Sequence, residues 1–206
     1  MFRLGCTIAL CAGLLVIGCT RSDANSSDKL DIVVIHVDEL GPATSESLIE
    51  ESSAIVQVTL DSITTGAGYR GGYNEDEPTS EFIELIQLNF SVVETLKGES
   101  PAQLSLLWDG FTVRNVDGKP GERLNRVSLA GANFTSTDIG QSFVLFLTER
   151  NNTLDIITVT DGIAHLLANG MISPATTSGV LGITSEATTV DYIRQVSSSE
   201  SAPFVE

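Results

Sequence analysis

Past position 19 the chain has no cysteine. All three of its cysteines, Cys6, Cys11 and Cys19, fall in the first 19 residues. A domain built from the remainder has no disulfide, no thiolate nucleophile and no cysteine metal ligand. Histidine is nearly absent too, with only His36 and His165, and no His-Glu-x-x-His occurs. The helix-borne zinc site of many hydrolases is therefore excluded. Gly-x-Ser-x-Gly, the Walker loop and the dinucleotide fingerprint are all missing. Gly66, Gly68, Gly71 and Gly72 match neither glycine spacing and stand between strand candidates, so they are not placed to cradle phosphate. Positive charge is scarce, with 11 basic against 27 acidic residues. Such a chain repels nucleic acid and anionic headgroups.

What is present begins at the N-terminus. Arg3 is the only charged residue before position 21, and Leu4 to Gly18 is apolar and uncharged. A charged start, a short apolar core and small residues before a cleavage point describe an export signal. The run is shorter than the roughly 20 residues a membrane span needs. Val16-Ile17-Gly18-Cys19 resembles the lipobox of bacterial lipoproteins. The resemblance implies that Cys19 becomes the first mature residue and carries lipid. An ordinary cleaved signal and an uncleaved anchor helix are the alternatives. Thr20 follows, where an aspartate would resemble an inner-membrane retention signal. The implied location is the bacterial cell envelope, with the outer membrane favoured if the organism has one. Arg21 to Lys29 reads as a flexible tether. Without residues 1–18 the chain has 188 residues, enough for one domain. Arg3 leaves with the signal, so 10 basic against 27 acidic residues give −17.

The rest reads as strands. Asp31 to Leu40 holds the run Ile32-Val33-Val34-Ile35, a first strand or a packed lead-in. Thr44 to Ser52 reads as a short helix capped by Thr44 or Ser45, with Glu46 in the first turn. Val56, Val58 and Leu60 then alternate on one face. Gly66 to Pro78, with four glycines, reads as a loop. Phe82 to Leu96 is a long strand with Phe82, Ile86, Leu88, Phe90, Val92 and Leu96 inward, expected to bend. Lys97 to Pro101 turns, and Leu104, Leu106 and Trp108 alternate in the next strand. Asp117-Gly118 and Pro120-Gly121 are turn signals, and Leu124 to Leu129 pairs weakly. Phe143 to Leu147 is continuously apolar, the pattern of a central strand buried on both faces. Leu154 to Thr160 and Ile163 to Ala168 are expected to form a hairpin through Asp161-Gly162. Thr188 to Val196 reads as a terminal helix with Val190 and Ile193 inward and Val196 a third candidate for that face. The expected class is all-β, an OB-like barrel of five to six strands with one short helix before the first barrel strand and a C-terminal helix. The expected limits are 1–18 signal, 19–30 tether, 31–196 one domain and 197–206 polar tail.

Three segments carry a second resemblance: Leu48 to Val56, Val93-Glu94-Thr95-Leu96-Lys97-Gly98, and Gly140 to Leu147. Their order resembles bacterial proteins with a domain similar to the tissue inhibitors of metalloproteinases and the netrin module. That family implies an OB-like barrel. Its inhibitory chemistry does not carry over, because it needs a free N-terminal cysteine amine and a disulfide. An acylated Cys19 has neither.

The sequence offers no catalytic set, no cofactor and no metal site. Asp109, Asp117 and Glu122, and separately Glu75-Asp76-Glu77, present oxygens to calcium but match no EF-hand loop. The functional expectation is a lipid-anchored, non-catalytic binding or structural module of the envelope. Its membrane contact is the lipid, an envelope protein is the open partner class, and nucleic acid is excluded. The candidate binding residues are Tyr69, Arg70 and Tyr73, tyrosine and arginine being common interface anchors. The alternatives are an envelope hydrolase assembled in three dimensions around His36 or His165, and a loop-mediated peptidase inhibitor.

Overall fold

The computed structural model describes residues 30, 32–35, 42, 44–71, 81–129, 132–151, 153–158, 161–175 and 188–200. Helix α1, Ser45–Glu51, starts at Thr44, whose Oγ1 accepts from Ser47 N at 3.1 Å while Ser47 Oγ accepts from Thr44 N at 3.0 Å. Two first-turn donors are thus satisfied at once. The other end is closed by a cation. Lys97 Nζ donates to the carbonyls of Ile49 and Glu50 at 2.8 and 2.9 Å, where the helix dipole is negative.

Among the described residues nine strands make one sheet: β1 Ile32–Ile35, β2 Ala54–Arg70, β3 Phe82–Lys97, β4 Gln103–Val116, β5 Lys119–Leu129, β6 Ser142–Arg150, β7 Thr153–Ile156, β8 Ile163–Leu166 and β9 Ile172–Pro174. Their order is β1-β5-β4-β3-β2-β6-β8-β9, with β7 also on β6. Among the described strands β1 and β5 run parallel and the other pairs antiparallel. Helix α2 spans Val190–Glu200. The all-β class and the placement of both helices are as the sequence implies, and the sheet is not closed. Its two terminal strands are three and four residues long. The interior is covered by a side chain instead. Phe134, from the segment after β5, packs its ring 5.4 Å from Trp108 of β4 and 5.8 Å from Phe143 of β6.

Two cores lie on opposite faces of the sheet. The inner one gathers Val56, Val58, Leu60, Leu88, Phe90 and Phe143 among others. The outer one packs Leu48 and Ile49 of α1 and Val190 and Ile193 of α2 against Ile55, Val144 and Phe146. Strand β6 feeds both, so Phe143 to Leu147 are all fully buried and alternation is lost.

Four expectations are corrected. The glycine segment is strand as far as Arg70, because Gly66 (φ 74) and Gly68 (φ 153) absorb a bulge between Thr64 and Gly68. Pro120-Gly121 lies within β5, and the β4–β5 turn is Asp117-Gly118, both with positive φ. Asp161-Gly162 joins no hairpin. β7 pairs with residues 147–150 of β6 and β8 with 143–145, so both lie along one edge. Between them Phe146 O accepts from Ile157 N and Phe146 N donates to Gly162 O, both at 2.9 Å. Finally, α2 runs four residues past Val196.

Candidate functional site

The side chains with the most concentrated chemistry lie at the end of the sheet where β2 finishes and β5 begins. Register places Tyr69, Glu84, Phe111 and Arg126 in one row across four strands, and Ile32 of β1 extends it. Cross-strand partners share a face. On β3, Glu84 falls on the inward face with Ile86, Leu88 and Phe90. The row is therefore where the apolar interior turns polar.

Glu84 is 3% exposed. Arg123 neutralises it with a two-pronged contact, Nε to Oε2 at 2.7 Å and Nη2 to Oε1 at 2.6 Å. Two parallel charge-assisted bonds are the strongest arrangement available to this pair. The hydrogen bond to Glu84 is the main reason the Arg123 pKa lies above its usual value, with burial opposing it. The Arg123 guanidinium also lies 4.4 Å from the Phe111 ring centre, with Arg126 at 5.4 Å. Arg126 is buried and donates from Nη1 to Phe134 O at 3.3 Å. Tyr69 stands half exposed, edge-on to Phe82 with ring centres 6.3 Å apart.

A second pair sits one row away. Arg70 Nη2 donates to Asp109 Oδ2, and Asp109 is 3% exposed whereas the Arg70 side chain is 53% exposed. A bulge in β4 at Gly110 turns Asp109 toward this partner. A Cβ there would lie 2.4 Å from Ile86 Cγ2, so glycine alone fits. Burial raises the Asp109 pKa, and the Arg70 charge and hydrogen bond only partly lower it again. The folded state thus favours the protonated acid more than the unfolded chain does. Stability from this group falls as pH rises above the ordinary carboxylate range, and is lowest at neutral pH. Comparing Asp109→Asn with the parent in thermal melts from pH 4 to 7 should show the difference moving in the variant's favour as pH rises. A difference moving the other way contradicts this.

Of the sequence candidates, Tyr69 and Arg70 are thus placed at one end of the sheet, on β2 instead of in a loop. Tyr73, Cys19, His36 and Glu75-Asp76-Glu77 lie outside the described residues. The calcium candidates do not converge. Asp109 pairs with Arg70, Glu122 with Arg114 at 2.9 Å, and Asp117 is in the hairpin turn. Among the described residues no group of three or more His, Cys, Asp or Glu is placed to hold a metal ion. His165 packs its ring 4.8 Å from that of Phe143 and lines a cavity of about 180 Å³ with Asn133, Phe134 and Asp138. Asp138 Oδ2 accepts from Thr135 N at 2.7 Å, capping the 3-10 turn Ser136–Asp138. Two surface clefts flank Arg194 of α2, which Glu94 and Asp191 hold.

Sequence reasoning missed Glu84 and Arg123. The signal was available, since a charge at an inward position of an alternating strand demands a partner. No protein-family model matches the chain, and no curated protein matches it. No described helix is long and apolar enough to cross a membrane.

Proposed function

We propose that this chain is an acylated lipoprotein of a bacterial envelope whose domain is a non-catalytic binding or structural module, similar in kind to the OB-like domain of the netrin and metalloproteinase-inhibitor family. The observation that carries the binding reading is the charged end of the sheet. Its two buried carboxylates are each held by an arginine, and what reaches solvent is the Tyr69 ring and the half-exposed Arg70. Each face of this end thus presents one interface-type side chain on a pre-organised base, an aromatic on one and a guanidinium on the other. The Lys97-Gly98 pair, part of the family likeness, has a structural reason here, because it closes α1 and lets β3 leave against Ser53.

The anchor reading rests on Val16-Ile17-Gly18-Cys19 behind an apolar run. Each buried CH₂ of an attached chain contributes about 0.8 kcal/mol, and stable anchoring takes more than one chain. Cell fractionation tests it. Cys19→Ser should move the protein from the membrane to the soluble fraction, and retention in the membrane contradicts the reading.

A further inference from the structure

We infer that the Tyr69 end of the sheet faces the lipid surface to which the chain is anchored, resting in the headgroup layer through Tyr69 and the β4–β5 hairpin. The inference rests on acylation of Cys19.

Topology supplies the first argument. β1 runs parallel to β5 with Ile32 beside Arg126 and Ile35 beside Leu129. The chain therefore enters β1 from the same end at which Tyr69, Phe111 and the hairpin lie. Leu30 packs against the inner core, so residues 19–29 separate Cys19 from the described fold. Eleven residues coil to about 18 Å and reach ~36 Å at full stretch. From the row of Glu84 to the opposite end at Lys97 the sheet is ~43 Å long. The near end is thus the one the connecting residues bring close to the surface, and the far end is held further away.

Charge supplies the second. Arg70, Arg114, Lys119, Arg123 and Arg126 are half of the basic residues after position 18. Against them at this end stand Glu81, Glu84, Asp109, Asp117 and Glu122, so the described charges balance. Glu75, Asp76 and Glu77 of the β2–β3 connector lie outside the described residues. Counted by sequence with this end, they bring it to 5 basic and 8 acidic residues, and everything else after position 18 has 5 basic and 19 acidic residues. Anionic headgroups repel that remainder more strongly, and the less acidic end is the one that approaches them at least cost. Exposure supplies the third. Tyr69 is 48% and Val116 49% exposed at this end. An amphipathic ring and an aliphatic side chain at a hairpin tip suit the boundary between water and acyl chains.

The test uses the full acylated chain in vesicles of phosphatidylethanolamine and phosphatidylglycerol. With Cys19 blocked by lipid, a single added cysteine takes a fluorescent label, at Val116→Cys or, at the far end, Glu99→Cys. Nitroxide-bearing lipid should quench the label at 116 several-fold more than the label at 99. Equal or reversed quenching overturns the orientation while leaving the anchor intact. If the unsubstituted chain does not float with the vesicles, the anchor fails and this inference falls with it.

Discussion

Gly98→Ala is expected to destabilise the fold by about 3 kcal/mol or more, the size reserved for strain plus overpacking. Gly98 has φ +70, and a Cβ there would lie 2.2 Å from Ser53 O and 3.2 Å from Ala54 Cα. Backbone cannot move aside as a flexible side chain can. Ser53 is also fixed, because its N donates to Leu147 O at 2.7 Å and its Oγ accepts from Glu149 N at 3.1 Å. The alanine methyl therefore pushes β3 away from the α1–β2 junction, and Lys97 leaves the carbonyls of α1 with it. In urea, with a slope of about 2 kcal/mol/M, the midpoint should fall by roughly 1.5 M. Gly140→Ala is the control. Its φ is +87 with nothing within 4 Å, so only the backbone cost of about 1–2 kcal/mol applies. Equal losses in the two variants contradict the packing account.

Arg123→Ala should cost about 2–4 kcal/mol. Breaking a buried pair on one side costs about 3–5 kcal/mol, reduced here because the Arg123 side chain is 35% exposed and water reaches the vacancy. The damage comes from Glu84, left charged on the inward face beside Phe82 and Ile86. The double change Glu84→Leu with Arg123→Leu should recover most of the loss, since no buried charge remains. Chemical denaturation of the three proteins measures this. If the double variant is as unstable as Arg123→Ala, the loss lies in packing of Arg123 on Phe111 and not in the stranded carboxylate.

Much of the architecture was readable where a local pattern and the tertiary demand coincide. Thr44, one of two cap candidates, caps the short helix read over Thr44 to Ser52. Phe143 to Leu147 announced a strand with two covered faces, and Val190 and Ile193 the inner face of α2. Failures arose where a dipeptide's preference is local but pairing is not. Asp117-Gly118 and Asp161-Gly162 are the same dipeptide. The first closes a hairpin because β4 and β5 need each other. The second does not, because β7 and β8 both pair with β6. Gly66 and Gly68 read as loop because glycine breaks the alternation, whereas pairing with β3 makes them a bulge. At the candidate site, Tyr69 and Arg70 were legible as interface types. Their supports were not, because Glu84 with Arg123 and Arg70 with Asp109 each span 39 positions. Asp109 read only as one of several carboxylates able to face calcium for the same reason: only folding brings Arg70 to it.

The central claim is that a lipid on Cys19 holds this module at a membrane. Intact-mass and N-terminal peptide mass spectrometry of the protein extracted from its native membrane tests it most directly. The account predicts a mature chain that begins at Cys19 with acyl groups on that residue. A chain that begins elsewhere, or an unmodified Cys19, contradicts it.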